Sequence, residues 1–257
     1  MSERPLDIGH PVLSRSLWAR GGKRLFDLVV GVVLVVLFSP ILAAAALAIK
    51  LTSPGPVFFP HLRSGRYGVP FRPHKFRTMV HGRKNDAAEL VPLDHPEITG
   101  LGRFLRRSKI DELPQLFNVI VGEMSLVGPR PDLPEHVERY TPFKLQRLAV
   151  RPGLTGLGQV NGATAITWEE RMRYDVHYIA HCTLWMDAAI LLKTIGVILF
   201  GDAHYARAFE QSPYYNPQEL LGWSEARDRA PTYGPNAAPL RDGRSGVDDA
   251  GPPGPQA

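Results

Sequence analysis

The residues of this chain best suited to chemistry are two adjacent carboxylates, Asp111 and Glu112, in the stretch Ser108-Lys-Ile-Asp-Glu-Leu-Pro-Gln-Leu-Phe117. Arg103, Arg106, Arg107 and Lys109 come just before them. A carboxylate among cations stays ionised at neutral pH and can serve as nucleophile or metal ligand. The same cations, with the free N–H groups of a helix start, favour a bound anion beside it. That combination suits chemistry on a phosphate. Spacing alone supports a plainer reading equally well. Ser108 with Asp111 three residues on is an N-terminal cap signal, and Pro114 is tolerable in a first turn.

Other cations are placed to join such a site. His74-Lys75-Phe76-Arg77-Thr78-Met79 alternates basic and apolar side chains, as a strand with one polar face does. Lys75 and Arg77 then project together and can grip a diphosphate; a basic patch facing a membrane is the other reading. Pro129 and Pro131 restrict the backbone on both sides of Arg130 and aim its guanidinium at a phosphate or nucleobase, unless the turn is merely rigid and the Arg solvated. Arg151-Pro-Gly-Leu-Thr-Gly156 is a second loop suited to close backbone approach, and it lacks the glycine spacing of a Walker or dinucleotide motif. His177 and His181 stand one helical turn apart, with no third metal ligand in view in the sequence.

The elements that must position these groups are legible in outline. Leu28 to Ile49 is an apolar run of 22 residues without a charge, enough to cross about 30 Å of hydrocarbon. Ser39-Pro40 interrupts it near the middle, where proline removes one N–H and opposes the carbonyl of Val36. The Ser39 hydroxyl can satisfy a freed backbone group. Lys23-Arg24 before the run and Lys50 after it give no clear direction of crossing, so a spanning helix and a re-entrant one both fit. Val57 to Phe59 suggests a short strand, Trp168 to Cys182 a helix, and Leu184 to Phe200 an interfacial or core helix carrying Asp187 and Lys193. Residues 82–98 suggest a polar connection.

The formal charge of +5 is uneven: four basic and six acidic residues from Gln211 onward leave +7 on residues 1–210. That excess suits nucleic acid, phosphorylated substrates or an acidic membrane surface, and composition does not choose among them. One cysteine, Cys182, excludes an intrachain disulfide and a multi-Cys zinc site. Of the last 47 residues 14 are Pro or Gly, which predicts a disordered tail over 211–257.

Taken in order, Lys23-Arg-Leu-Phe-Asp27, Ser39-Pro40, Lys75-Phe-Arg-Thr-Met79, Asp111-Glu-Leu-Pro-Gln115, Met124-Ser-Leu-Val-Gly-Pro-Arg-Pro131, Pro152-Gly-Leu-Thr-Gly156 and Gln159-Val-Asn-Gly162 resemble the monotopic phosphoglycosyl transferases. These are bacterial sugar transferases that start glycan and exopolysaccharide assembly on polyprenyl phosphate. The Asp175, Tyr178 and Asp187 spacing fits as well, and the likeness covers residues 22–200. The resemblance implies an α+β, mainly helical, membrane-associated fold with short strands and interfacial amphipathic helices. It divides the chain into a leader (1–21), a re-entrant helix hairpin broken at Ser39-Pro40 (22–51), a catalytic domain (52–205) and the tail.

The resemblance also implies a reaction. Asp111 attacks the sugar-bearing phosphate of a nucleotide diphosphosugar, a UDP-sugar, and the phosphosugar is held as an acyl phosphate until undecaprenyl phosphate takes it. Glu112 assists through magnesium or proton management, with Asp111 and Glu112 as ligands of Mg²⁺; Lys75, Arg77, Arg106, Arg130 with its flanking prolines, and Arg151 bind substrate. The expected place is the cytoplasmic face of the bacterial inner membrane, with no nucleic acid partner and with a homodimer compatible. His61-Leu62, Glu97 and Ala163 depart from the family pattern, and Ala163 leaves one expected phosphate contact without a candidate. The competing expectation is a membrane-anchored basic module that binds anionic lipid or polymer without catalysis.

Overall fold

The computed structural model describes residues 5, 6, 8, 11, 13–59, 61–81 and 91–219. Its helices are α1 (Lys23–Thr52), α2 (Gly100–Arg107), α3 (Leu116–Val121), the short α4 (Pro134–Val137), α5 (Pro142–Leu145) and α6 (Leu157–Val160), then α7 (Trp168–His181) and α8 (Leu184–Phe200). Strands β1 (Arg63–Ser64) and β2 (Pro70–Phe71) pair antiparallel, whereas β3 (Ser125–Val127) and β4 (Gly153–Thr155) pair parallel. The architecture is α+β and mainly helical.

Local sequence accounts for most boundaries. Thr167 and Glu170 form a reciprocal capping box at the start of α7, and Thr183 caps α8 by accepting from Met186 N. Gly122, at φ +100, turns the chain out of α3. Gly128, Gly153 and Gly156 permit the close parallel pairing of β3 and β4. A Cβ on Gly153 or Gly156 would collide with the backbone of Gly128, so β3 and β4 approach only because these positions lack one.

α1 is about 45 Å long for its 30 residues and is the one described helix long and apolar enough to cross a bilayer. The sequence reading expected a hairpin broken at Ser39-Pro40. Instead the described residues form one continuous helix with Pro40 inside it. The proline is accommodated as anticipated: Ser39 Oγ donates to the Val36 carbonyl at 2.8 Å, the acceptor that Pro40 cannot reach for lack of an N–H.

Both ends of α1 dock on the same body. At its start Lys23 Nζ lies 2.6 Å from Asp187 Oδ2, and Arg24 donates to the carbonyls of Val119 and Ile120. Along its inner face Phe26, Val30 and Leu34 pack on the main core, which holds Val119, Leu126, Tyr174 and Tyr178. Near its end Ala45 and Ile49 join Phe76 and Leu105 in a second cluster.

Three sequence expectations need adjustment. The leader is anchored from Ser14 on, since Ser14 and Ser16 both donate to the Cys182 carbonyl. The chain also stays packed past Gln211: Ser212 is buried and the Tyr214 ring stands edge-on to Tyr174. Residues 82–90, most of the expected polar connection, and 220–257 of the tail lie outside the described residues. Finally, α8 is not amphipathic in the expected sense. Asp187 is wholly buried on Lys23, Trp18 and Tyr178, and Lys193 donates to Asn161. Both charges point inward, and the outer face is left apolar.

Candidate active site

The carboxylate pair sits on a turn, not at the start of a capped helix. Ser108 closes α2 from behind, its Oγ donating to the carbonyls of Phe104 and Leu105 at 2.8 and 3.2 Å. Lys109 then takes a left-handed conformation (φ +58) and redirects the chain into a tight 3-10 turn over Ile110–Gln115. The sequence misassigned Ser108 because a Ser beside a helix end can cap in either direction.

Two backbone devices bring Lys75 to this turn. Phe76 N donates to the Asp111 carbonyl at 3.0 Å. Asn118, buried in α3, accepts from His74 N and donates to the Arg72 carbonyl and to Glu123. The segment that alternates in sequence is thereby held alongside the turn, and it bridges Val57–Phe59 at Phe58 and Phe76 without forming a full strand. Lys75 Nζ lies 3.0 Å from Asp111 Oδ2 and 3.1 Å from Glu112 Oε1. Arg130 completes the cluster, with Nη2 2.8 Å from Glu112 Oε1. Its carbonyl accepts from Arg147 at 2.7 Å, so Pro129-Arg130-Pro131 is held from its other side too.

The two carboxyls differ electrostatically. Burial pushes Asp111 above the ordinary carboxylate range, opposed by Lys75 and, more weakly, by Arg106, with Glu112 adding to the rise. Burial alone would raise Glu112 as well, but Arg130 and Lys75 reverse it and hold that carboxyl well below its ordinary range. One chain segment thus presents a more basic, more nucleophilic oxygen beside one that is permanently charged. Both carboxylates converge on a single ammonium group, a donor set that also fits a hard divalent cation shared with phosphate oxygens.

Of the expected substrate-binding residues, Lys75, Arg130, Pro129 and Pro131 are assembled here. Arg106 is adjacent, tied to Thr78 Oγ1 at 2.9 Å and to the Val91 carbonyl. Arg77 is not part of the cluster. Its buried guanidinium donates to Ser53 O, Ser53 Oγ and Pro54 O at 2.7–2.9 Å, fastening the end of α1. Alternation gave it the face of Lys75 but not its surroundings. Arg151 donates to the Gly122 carbonyl at 2.7 Å, and burial with the nearby cations Arg24 and Arg66 lowers its pKa. It closes the α3 turn instead of facing the carboxylates.

A cavity of about 730 Å³ opens beside Glu112 and Arg130. Its polar lining includes Arg63, Lys109, His136 and Arg171; its apolar lining includes Leu34 of α1 with Leu191, Val197 and Ile198 of α8. Sequence reasoning missed the buried group that braces its wall. Asp132 accepts from Leu133 N, His136 Nδ1 and Tyr140 OH. Arg147 donates to Tyr140 OH and, through Nε and Nη2, to Asp175 Oδ2. Only Asp175 carried a signal, through its spacing from Tyr178 and Asp187. Nothing local marks Arg147, since its partners are distant in sequence.

Residues 18–201 match the family model described as bacterial sugar transferase. Among curated proteins, the chain is 45% identical to the UDP-glucose:undecaprenyl-phosphate glucose-1-phosphate transferase of Caulobacter vibrioides, over 80% of this chain and 83% of the relative. It is 40% identical to the undecaprenyl-phosphate galactose phosphotransferase of Salmonella typhimurium, over 71% of this chain and 41% of the relative. It is equally similar to the UDP-N-acetylgalactosamine-undecaprenyl-phosphate N-acetylgalactosaminephosphotransferase of Aeromonas hydrophila, over 70% of this chain and 44% of the relative. The chain therefore spans less than half the length of some curated relatives and most of others.

Proposed function

Because this chain belongs to the bacterial sugar transferase family, we propose that it moves a sugar 1-phosphate from a UDP-sugar to undecaprenyl phosphate through a phosphosugar carried on Asp111. The observation that carries this reading is the asymmetry of the pair. Asp111 is buried and made more basic, yet touches Lys75 at 3.0 Å, while Glu112 beside it is fixed as an anion by Arg130.

In the first half-reaction an Asp111 oxygen attacks the sugar-bearing phosphorus. The bond from that phosphorus to the oxygen bridging the diphosphate breaks, and UMP leaves with the electron pair. Lys75 and Arg130 balance the charge that collects on the phosphoryl oxygens. In the second half-reaction an oxygen of undecaprenyl phosphate attacks the same phosphorus, and Asp111 departs as a free carboxylate. Mg²⁺ held by Glu112 and Asp111 with phosphate oxygens would supply charge neutralisation as these anions meet. The relatives act by name on glucose, galactose and N-acetylgalactosamine, so the family leaves the sugar open.

We further propose that α1 inserts into a membrane from one face without crossing it, both ends staying on that side. Its two ends are fastened to one body, through Lys23 and Arg24 at the start and Ser53 and Pro54 at the end. A helix crossing the bilayer would carry those ends to opposite sides. The outward residues Val32, Val33, Val36 and Leu37 of α1, and Trp185, Leu192 and Leu199 of α8, are exposed and apolar, as a lipid-facing surface requires. The cytoplasmic face is the side where UDP-sugars are made, and the reading places the domain there.

The test is UMP release from a panel of UDP-sugars with Mg²⁺, with undecaprenyl phosphate added or withheld. A burst approaching one equivalent of UMP without acceptor is expected, with the phosphosugar recovered on the Asp111 peptide. UMP release that strictly requires acceptor would rule out the two-step route.

A further inference from the structure

A second cluster of potential ligands lies away from the carboxylate pair, at the C-terminal end of α7. The rings of His177 and His181 stack there with centroids 4.2 Å apart. The sequence offered no third ligand, but the fold supplies one. Glu219, from the segment that stays packed after Gln211, places Oε1 3.4 Å from His181 Nε2 and Oε2 3.8 Å from His177 Nδ1. All three ligand atoms lie within 4.8 Å of one another.

The hydrogen bonding fixes which nitrogen is available. His181 Nδ1 lies 3.0 Å from the His177 carbonyl, which can only accept, so Nδ1 bears the proton. In a neutral ring Nε2 then turns a lone pair toward the Glu219 oxygen. Two lone pairs at that distance repel, and a cationic species between them relieves the repulsion. Tyr214 and Phe209 stand around the His177 ring, while His181 is exposed and leaves a path in for an ion.

We propose that His177, His181 and Glu219 bind a borderline divalent metal of the Zn²⁺ type, with water in a fourth position. Two imidazoles and one carboxylate match that class, and not Mg²⁺, which prefers oxygen alone. Tetrahedral ligands about 2.0–2.2 Å from zinc stand roughly 3.3–3.5 Å apart, so the nitrogen–oxygen separations need little closing. Bound metal pins the segment around Tyr214 and Glu219 onto α7, independently of the chemistry at Asp111.

The test uses the full chain in detergent, purified without a polyhistidine tag, stripped with chelator and titrated with Co²⁺ in excess Mg²⁺. One equivalent should develop the visible absorption of tetrahedral cobalt, displaced by Zn²⁺. Glu219→Gln and His181→Ala should each weaken binding by more than about tenfold. Absence of the tetrahedral band, or wild-type affinity in both variants, would overturn the site. The Glu219–His181 contact would then be a proton-mediated ion pair only.

Discussion

Two clusters of carboxylates and guanidinium or ammonium groups lie on either side of Arg130, and they differ in what they leave open. In one, Arg147 is 4% exposed and is sealed among Asp175, Tyr140 and Asp132, with every partner contributed by the fold itself. In the other, Lys75 and Arg130 meet Asp111 and Glu112; Glu112 and Arg130 line the cavity, and the Arg130 side chain is 52% exposed. The Arg147 cluster borders the same cavity, but its guanidinium is buried and already engaged, which suits it to holding structure. The open one has cationic surface to give to an incoming anion; a carboxyl raised by burial occurs in both, at Asp111 and at Asp175. Ion pairing and a shared cavity do not separate a brace from a candidate site; the exposure of the cation does.

Substitutions should pull the two clusters apart. Asp111→Asn is expected to remove transfer by about 10⁴-fold or more, measured as UMP release, while the protein stays folded and membrane-bound. Arg147→Met should act the other way, costing about 3–5 kcal/mol of stability by leaving Asp175 buried and unpaired; thermal unfolding measures it. Transfer per folded molecule should fall far less than in Asp111→Asn. Should Arg147→Met leave the melting temperature unchanged, the two clusters would not differ as described. Arg130→Met is expected between them, losing about 10²-fold in kcat/KM with little change in melting temperature, because its side chain is half in solvent.

The smallest effect is a shift in pH dependence. Asp111 must be ionised to attack, and its folded-state pKa lies above the ordinary 3.8. Activity should therefore be full at higher pH and fall as pH drops through that raised value. Glu112, held low, does not titrate in the same window. Lys75→Met removes the leading charge that lowers Asp111, so the acid limb of kcat/KM should move to higher pH. A limb that stays in place would mean that Lys75 does not set the ionisation of Asp111.

Much of the site was readable because it is written in short segments. Asp111-Glu112, Pro129-Arg130-Pro131 and the alternation around Lys75 each announce themselves within a few residues, and their common order carries the family likeness. The failures have two causes, one local and one long-range. Arg77 and Lys75 look alike in sequence, yet Arg77 is consumed by the end of α1. Ser108 had the identity of a cap but caps the helix behind it. The two charges of α8, on a helix expected to be interfacial or core, both turn inward to Lys23 and Asn161. For Arg77 and the α8 charges the deciding neighbours come from elsewhere in the chain, whereas for Ser108 they are the local carbonyls of Phe104 and Leu105.

By itself the sequence determined the apolar length of α1, the proline within it, the extents of α7 and α8, and the candidate carboxylate pair, because these depend on local period and residue type. Only the tertiary structure decided that both ends of α1 rest on one body, that Lys75 touches Asp111 and Glu112 together, and that Glu219 returns to His177 and His181. Those facts are contacts between distant segments, and burial and charge at each group are set by everything packed around it.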